Sequence, residues 1–198
     1  MAILLLPIIL LNFLGGIVAG IWLIVAGQWA LVVGAFISII VSYWILSLLL
    51  APTLLIAAPL AWAAKRGHSV LIVILGALVN LWTNALMLLY GVGSFLFVFS
   101  HYEDGMRLPY LLLAYAVATG PWLYMAQGES RSGDSGSGTT LPAFGLCLGS
   151  LAMMIVAVVY SGSTSALWVA CGIPLAIAWL LQMFIIISMA GTKAFAED

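Results

Sequence analysis

Residues 29–64 form a long apolar run, WALVVGAFISIIVSYWILSLLLAPTLLIAAPLAWAA. These 36 residues carry no charge and would reach about 54 Å as one helix, whereas the hydrocarbon core of a bilayer is about 30 Å thick. Pro52 and Pro59 lack an N–H group and clash with the preceding helical turn. The sequence therefore predicts a transmembrane helix over 29–50, followed by a broken or re-entrant apolar segment after Pro52.

The composition of the whole chain also indicates that it is surrounded by a lipid bilayer rather than by water. Of its 198 residues, 66% are hydrophobic and 6% are charged, against about 25% charged residues in an average soluble domain. We expect one all-α integral membrane domain, a bundle of about six transmembrane helices. The lipid bilayer is the partner that this composition predicts. The predicted spans are 2–26, 29–50, 69–90, 108–127, 142–160 and 166–190, with a flexible loop at 128–141.

The distribution of Lys and Arg predicts the orientation. With six spans and a cytoplasmic N-terminus, Lys65, Arg66, Arg131 and Lys193 lie on the cytoplasmic side, and Arg107 lies outside. Cytoplasmic loops carry an excess of Lys and Arg. We therefore expect a multi-pass protein of the cell (inner) membrane with both termini in the cytoplasm.

Several chemistries are disfavoured by what the predicted spans lack. They contain no Asp, Glu, His, Lys or Arg, which pumps and proton relays place inside the membrane. We expect no catalytic residue, metal or cofactor, and the net charge of −1 gives no basic patch for a nucleic-acid partner. A lipid-modifying enzyme that uses His101, Glu103 and Asp104 in an outer loop is the least favoured alternative.

A belt of neutral polar residues falls near the predicted middle of the bilayer. Asn80, Thr83 and Asn84 occupy one face of a helix, and they will avoid lipid because unpaired amides are costly in hydrocarbon. Two interpretations remain open, hydrogen bonds between helices or the lining of a polar path. The belt consists of Asn12, Ser38, Ser42, Asn80, Thr83, Asn84 and Thr119.

Glycine pairs at a spacing of four indicate close helix packing. Gly16 and Gly20 form one such pair, and Gly145 and Gly149 form another. This spacing lets two helix backbones approach each other. We expect both pairs to lie at helix–helix contacts, within the chain or between copies of it.

The favoured function is association within the membrane rather than catalysis. The chain has short loops, no charged group in its spans and an apolar segment after Pro52 that needs cover. These features are typical of a subunit, an immunity protein or a defence-type component that forms a homo-oligomer or binds another membrane protein. The alternative is a channel or facilitator for a small neutral solute, which would use the polar belt.

Overall fold

The computed structural model describes residues 2–100, 107–131, 140–159 and 164–194. Within these ranges the chain forms six helices and no strand, which confirms the predicted all-α membrane bundle. Four helices have segments long and apolar enough to cross a membrane: α2, α3, α5 and α6. The helices are α1 (Ala2–Val25), α2 (Trp29–Lys65), α3 (Ser69–Phe99), α4 (Arg107–Arg131), α5 (Thr140–Val159) and α6 (Thr164–Ala194).

Helix α4 lies in the middle of the bundle. It packs against α1, α2, α3 and α5, and nearly all of its side chains from Pro109 to Leu123 are buried. It is also the least hydrophobic of the six helices. A helix that is surrounded by other helices does not face lipid, so it can carry more polar side chains, and α4 has three tyrosines where α2 and α3 have one each.

Helices that are consecutive in the chain run in opposite directions. In α1 and α4, Asn12 meets Thr119 and Gly16 meets Ala116, so these two helices are antiparallel. The other directions follow from the contacts Tyr90–Val117, Gly76–Ile186, Gly91–Cys171, Gly145–Ala178, Gly149–Cys171 and Gly120–Ile39. The start of α1, the α2–α3 turn and the end of α6 therefore share one end of the bundle, which we call the α2–α3 end.

The break predicted after Pro52 is not present. α2 is one continuous helix from Trp29 to Lys65, with Pro52 and Pro59 inside it. Side-chain donors support the turn before Pro52: Trp82 Nε1 donates to the Leu49 carbonyl at 2.9 Å, and Thr53 Oγ1 donates to the Leu50 carbonyl at 2.6 Å. The carbonyl that loses its backbone donor at Pro52 is that of Leu48, so these two bonds support the neighbouring carbonyls of the same turn rather than replace the missing one.

Other helix ends also differ from the predicted spans. α3 passes through Gly91 and Gly93 and ends at Phe99 rather than near residue 90. α4 extends to Arg131 and α5 begins at Thr140, so helix covers both ends of the segment predicted as a loop at 128–141. Residues 132–139 of that segment lie outside the described residues.

The turns after α1 and α2 share one geometry. Gly27 and Gly67 both have positive φ, at 87° and 68°. The next residue in each turn donates its N–H back to the helix, from Gln28 to Leu23 at 2.8 Å and from His68 to Ala63 at 3.0 Å. This is the Schellman ending, in which a left-handed glycine stops a helix and reverses the chain.

Candidate functional site

The polar contact between α1 and α4 is made by Asn12 and Thr119. Asn12 Nδ2 donates to Thr119 Oγ1 and lies 3.5 Å from the carbonyl of Ala116. Thr119 is fully buried, and its hydroxyl donates in turn to the carbonyl of Tyr115 at 2.7 Å. Two members of the predicted belt are therefore brought together from opposite halves of the chain.

Tyr90 makes the corresponding contact between α3 and α4. Its hydroxyl donates to the Val117 carbonyl at 3.0 Å. Pro121, four residues after Val117, has no N–H to give that carbonyl, so the tyrosine replaces the missing backbone donor. Ser42 of α2 is a hydrogen-bonding neighbour of the Tyr90 side chain. Three helices thus meet at the point where Pro121 interrupts the hydrogen bonding of α4.

Two serine and threonine members of the belt bond only within their own helix in the hydrogen bonds that the structure shows. Ser38 donates to the Ala35 carbonyl at 2.7 Å, and Thr83 donates to the Val79 carbonyl at 3.0 Å. Such i−3 and i−4 bonds satisfy a hydroxyl without joining two helices. The hydroxyl groups of Ser38 and Thr83 therefore do not join one helix to another in these bonds.

Asn80 and Asn84 form a second polar cluster, on the α6 side of α3. Asn84 Nδ2 donates to the Asn80 carbonyl at 2.8 Å and to Asn80 Oδ1 at 2.7 Å. Asn80 Nδ2 lies 3.5 Å from the carbonyl of Trp179 on α6. Both asparagines are buried, so the belt is divided between two regions of the bundle, one on each side of the helix pair α3 and α4.

Some buried polar atoms of the described residues have no hydrogen-bond partner. They include Asn84 Oδ1, Trp122 Nε1, Ser150 Oγ and Trp179 Nε1. Buried polar groups are normally paired, and each exception needs an explanation such as a water or a ligand. The exceptions lie on α3, α4, α5 and α6, whereas the polar side chains of Asn12, Ser38 and Thr119, between α1, α2 and α4, are bonded.

The glycine pairs lie against neighbouring helices. A Cβ atom at Gly145 would stand 2.7 Å from Ala178 Cβ and 3.1 Å from the Pro174 carbonyl oxygen. One at Gly149 would stand 3.0 Å from the Cys171 carbonyl oxygen. The backbones of α5 and α6 therefore approach closely at this pair. Of the other pair, Gly16 lies against Ala116 of α4 and Gly20 against Val32 of α2.

A groove of about 430 Å³ opens between α1, α2 and α4. Small residues at Gly16, Ala116 and Gly120 leave the space, and Asn12 supplies an amide to its wall. Tyr43 of α2 meets Tyr124 of α4 edge to face, with ring centroids 5.2 Å apart. The exposed rim is formed by large apolar side chains, among them Phe13, Ile17, Phe36, Ile40 and Trp44. The groove is therefore an apolar, laterally open recess beside the central helix.

The residues considered for enzyme chemistry, His101, Glu103 and Asp104, lie outside the described residues. Among the residues that are described, no group of three or more His, Cys, Asp or Glu side chains is placed to hold a metal ion. Cys147 and Cys171 are buried free thiols, and Cys147 neighbours the Tyr115 side chain.

Sequence reasoning missed the groove and the hydrogen bonds that Tyr90 and Trp82 make to neighbouring helices. A signal existed for Tyr90, because Pro121 in an apolar helix implies a carbonyl at Val117 that needs another donor. No comparable signal marks Trp82, since the carbonyl that it reaches belongs to a helix expected to break. Comparison with protein-family models, with characterised proteins and with solved structures matches this chain to none of them.

Proposed function

We propose that this chain is a multi-pass protein of the inner membrane that acts without catalysis, by associating in the bilayer with another membrane protein or with its own copies. The observation that carries the proposal is the groove between α1, α2 and α4. Apolar recesses at a surface are common recognition sites for a partner helix. Its small residues, Gly16, Ala116 and Gly120, would let the backbone of a partner approach α4.

The polar contacts favour association over transport on the groove side of the bundle. Asn12 and Thr119 bond to each other, and Tyr90 bonds to the Val117 carbonyl. These groups are engaged in holding α4 against its neighbours, which leaves an apolar outer wall for a partner. A helix that enters the groove would meet aromatic and small side chains, the usual composition of packed membrane interfaces.

A bulky side chain placed in the groove tests this proposal. At Gly120, a Cβ atom would meet only Ile39, at an ordinary distance of 3.6 Å, so Gly120→Leu places a bulky side chain in the recess without a clash at its Cβ atom. We expect Gly120→Leu to reduce the mass of the complex isolated in mild detergent, measured by light scattering. Gly93→Leu is the matched control, because nothing lies within 4 Å of a Cβ atom there. A wild-type chain that is monomeric, with no co-purifying protein, would contradict the proposal.

The proposed orientation places the α2–α3 end in the cytoplasm. Lys65 and Arg66 lie at that end, whereas Arg107 starts α4 at the opposite end. The bias of Lys and Arg supports this orientation. Cysteine introduced at His68 should react with an impermeant maleimide only from the cytoplasmic side of sealed vesicles, and cysteine at Gln28 only from the other side. Labelling of both positions from one side would refute it.

A channel for a small neutral solute is the second candidate. It is favoured by the unpartnered buried atoms, Asn84 Oδ1 and Ser150 Oγ among them, because such atoms find partners in water or a polar solute. The double variant Asn80→Leu and Asn84→Leu should then abolish solute flux in proteoliposomes. Thr83→Val is the control, since the Thr83 hydroxyl bonds to its own helix. Equal flux in all three proteins would dismiss the channel.

A further inference from the structure

The α2–α3 turn carries the only charged side chains in the first 102 residues of the chain. These are Lys65 and Arg66, with His68 two residues further on, and the first acidic residue is Glu103. All three basic side chains are exposed. Half of the molecule therefore presents its charge at one short turn, and that charge is positive.

The Trp62 ring contacts two of the three basic side chains of this turn. The Arg66 guanidinium lies 4.9 Å from the centroid of the Trp62 ring. The His68 ring is 5.3 Å from the same tryptophan, tilted by 37°. Trp62 is itself partly exposed, and tryptophan is enriched at the boundary between hydrocarbon and headgroups. The guanidinium and the imidazole are thus both positioned beside one tryptophan ring.

The backbone of the turn fixes the same cluster. Gly67 takes a positive φ of 68°, and His68 N–H donates to the Ala63 carbonyl at 3.0 Å. The turn at Gly27 has the same backbone geometry, but its sequence is Ala26-Gly27-Gln28 and carries no charge. Reversing the chain therefore does not require basic residues. The charge of the α2–α3 turn is additional to its structural role.

We propose that the α2–α3 turn binds the phosphate of an anionic lipid headgroup. Lys65 and Arg66 supply the positive charge, and guanidinium groups bind phosphate oxygens with paired hydrogen bonds. The apolar surface of α2 next to the turn, with exposed Leu54 and Leu55, lies where the acyl chains of that lipid would run. This inference goes beyond the proposed function and holds for either orientation of the chain.

Native mass spectrometry of the full chain in mild detergent with added phosphatidylglycerol tests the proposal. Each basic residue near an anionic surface contributes about 1 kcal/mol, which is about a fivefold change in affinity. The variant Lys65→Gln with Arg66→Gln should therefore retain the lipid about 25-fold more weakly than wild type. Arg107→Gln, at the other end of the bundle, should leave this retention unchanged.

Further measurements test the role of Trp62 and distinguish binding of an anionic lipid from binding of any lipid or of free phosphate. Trp62→Leu should weaken retention of phosphatidylglycerol, and Trp62→Phe, which keeps a ring, should restore part of it. Phosphatidylcholine should be retained equally by wild type and the double variant. Equal retention of phosphatidylglycerol by these two proteins would overturn the proposal. Displacement of the lipid by millimolar inorganic phosphate would also overturn it, because the turn would then be a site for free anions.

Discussion

The hydroxyl of Tyr90 donates to the carbonyl of Val117 at 3.0 Å, in the turn of α4 where Pro121 withholds its backbone donor. Tyr90→Phe leaves that carbonyl without either partner. We expect the free energy of unfolding in mixed detergent to fall by about 0.6–1.7 kcal/mol, the average and the maximum for hydrogen bonds between membrane helices.

Restoring the backbone donor tests the cause of that loss. In a Pro121→Ala background the N–H of residue 121 can serve the Val117 carbonyl, so Tyr90→Phe should cost less there than in the wild-type protein. The interaction energy from this double-mutant cycle measures the coupling directly. An identical cost in both backgrounds would show that Tyr90 does not compensate for the proline.

Asn12 and Thr119 allow a second cycle, between α1 and α4. Asn12 Nδ2 donates to the Thr119 hydroxyl, so Asn12→Ala and Thr119→Val should each destabilise the bundle. Their costs should be less than additive, with a coupling of about 0.6 kcal/mol. Thr83→Val provides the comparison, because its hydroxyl donates to Val79 of its own helix, and we expect it to be nearly neutral in the same unfolding assay.

Alanine at Gly149 should force α5 and α6 apart. Its Cβ atom would lie 3.0 Å from the carbonyl oxygen of Cys171, a backbone atom that cannot rotate away. Overpacking of this kind costs about 1–3 kcal/mol. Gly93→Ala, where nothing lies within 4 Å, should instead gain up to about 1 kcal/mol from helix propensity. Equal melting temperatures for both variants in detergent would contradict close packing of α5 on α6.

Trp82→Phe should loosen α2 at its proline. The indole N–H donates to the Leu49 carbonyl at 2.9 Å, in the turn before Pro52, and phenylalanine keeps the ring while removing the donor. We expect faster hydrogen–deuterium exchange at amides near Pro52, measured by mass spectrometry. Trp168→Phe on α6 should leave exchange near Pro52 unchanged, and a uniform increase across all helices would point to general destabilisation instead.

The helical segments could be predicted because their apolar lengths are visible in the sequence. The continuity of α2 could not. Whether Pro52 breaks a helix depends on donors that reach the carbonyls of its turn, and one of them, Trp82, lies 33 residues from Leu49. A local pattern contains the proline but not the distant side chain that bonds to the helical turn beside it.

The polar residues were recognisable by type, but their partners were not. Asn80, Asn84 and Thr119 stand out in apolar helices, and the structure buries all three. Their pairing depends on which helices meet. α4 contacts α1 while α6 contacts α3, and no periodicity within a single helix specifies these neighbours. The groove depends on three helices at once and has no local signature.

The contact between Asn12 and Thr119 also constrains how the chain is made. These residues are separated by 107 positions, and synthesis at about 5–20 residues per second delivers the threonine about 5–20 s after the asparagine. During that interval the Asn12 amide lacks the acceptor that it has in the folded bundle. We therefore expect early assembly, before the fourth helix is made, to be the period when this unpaired amide leaves the protein most open to capture by quality control.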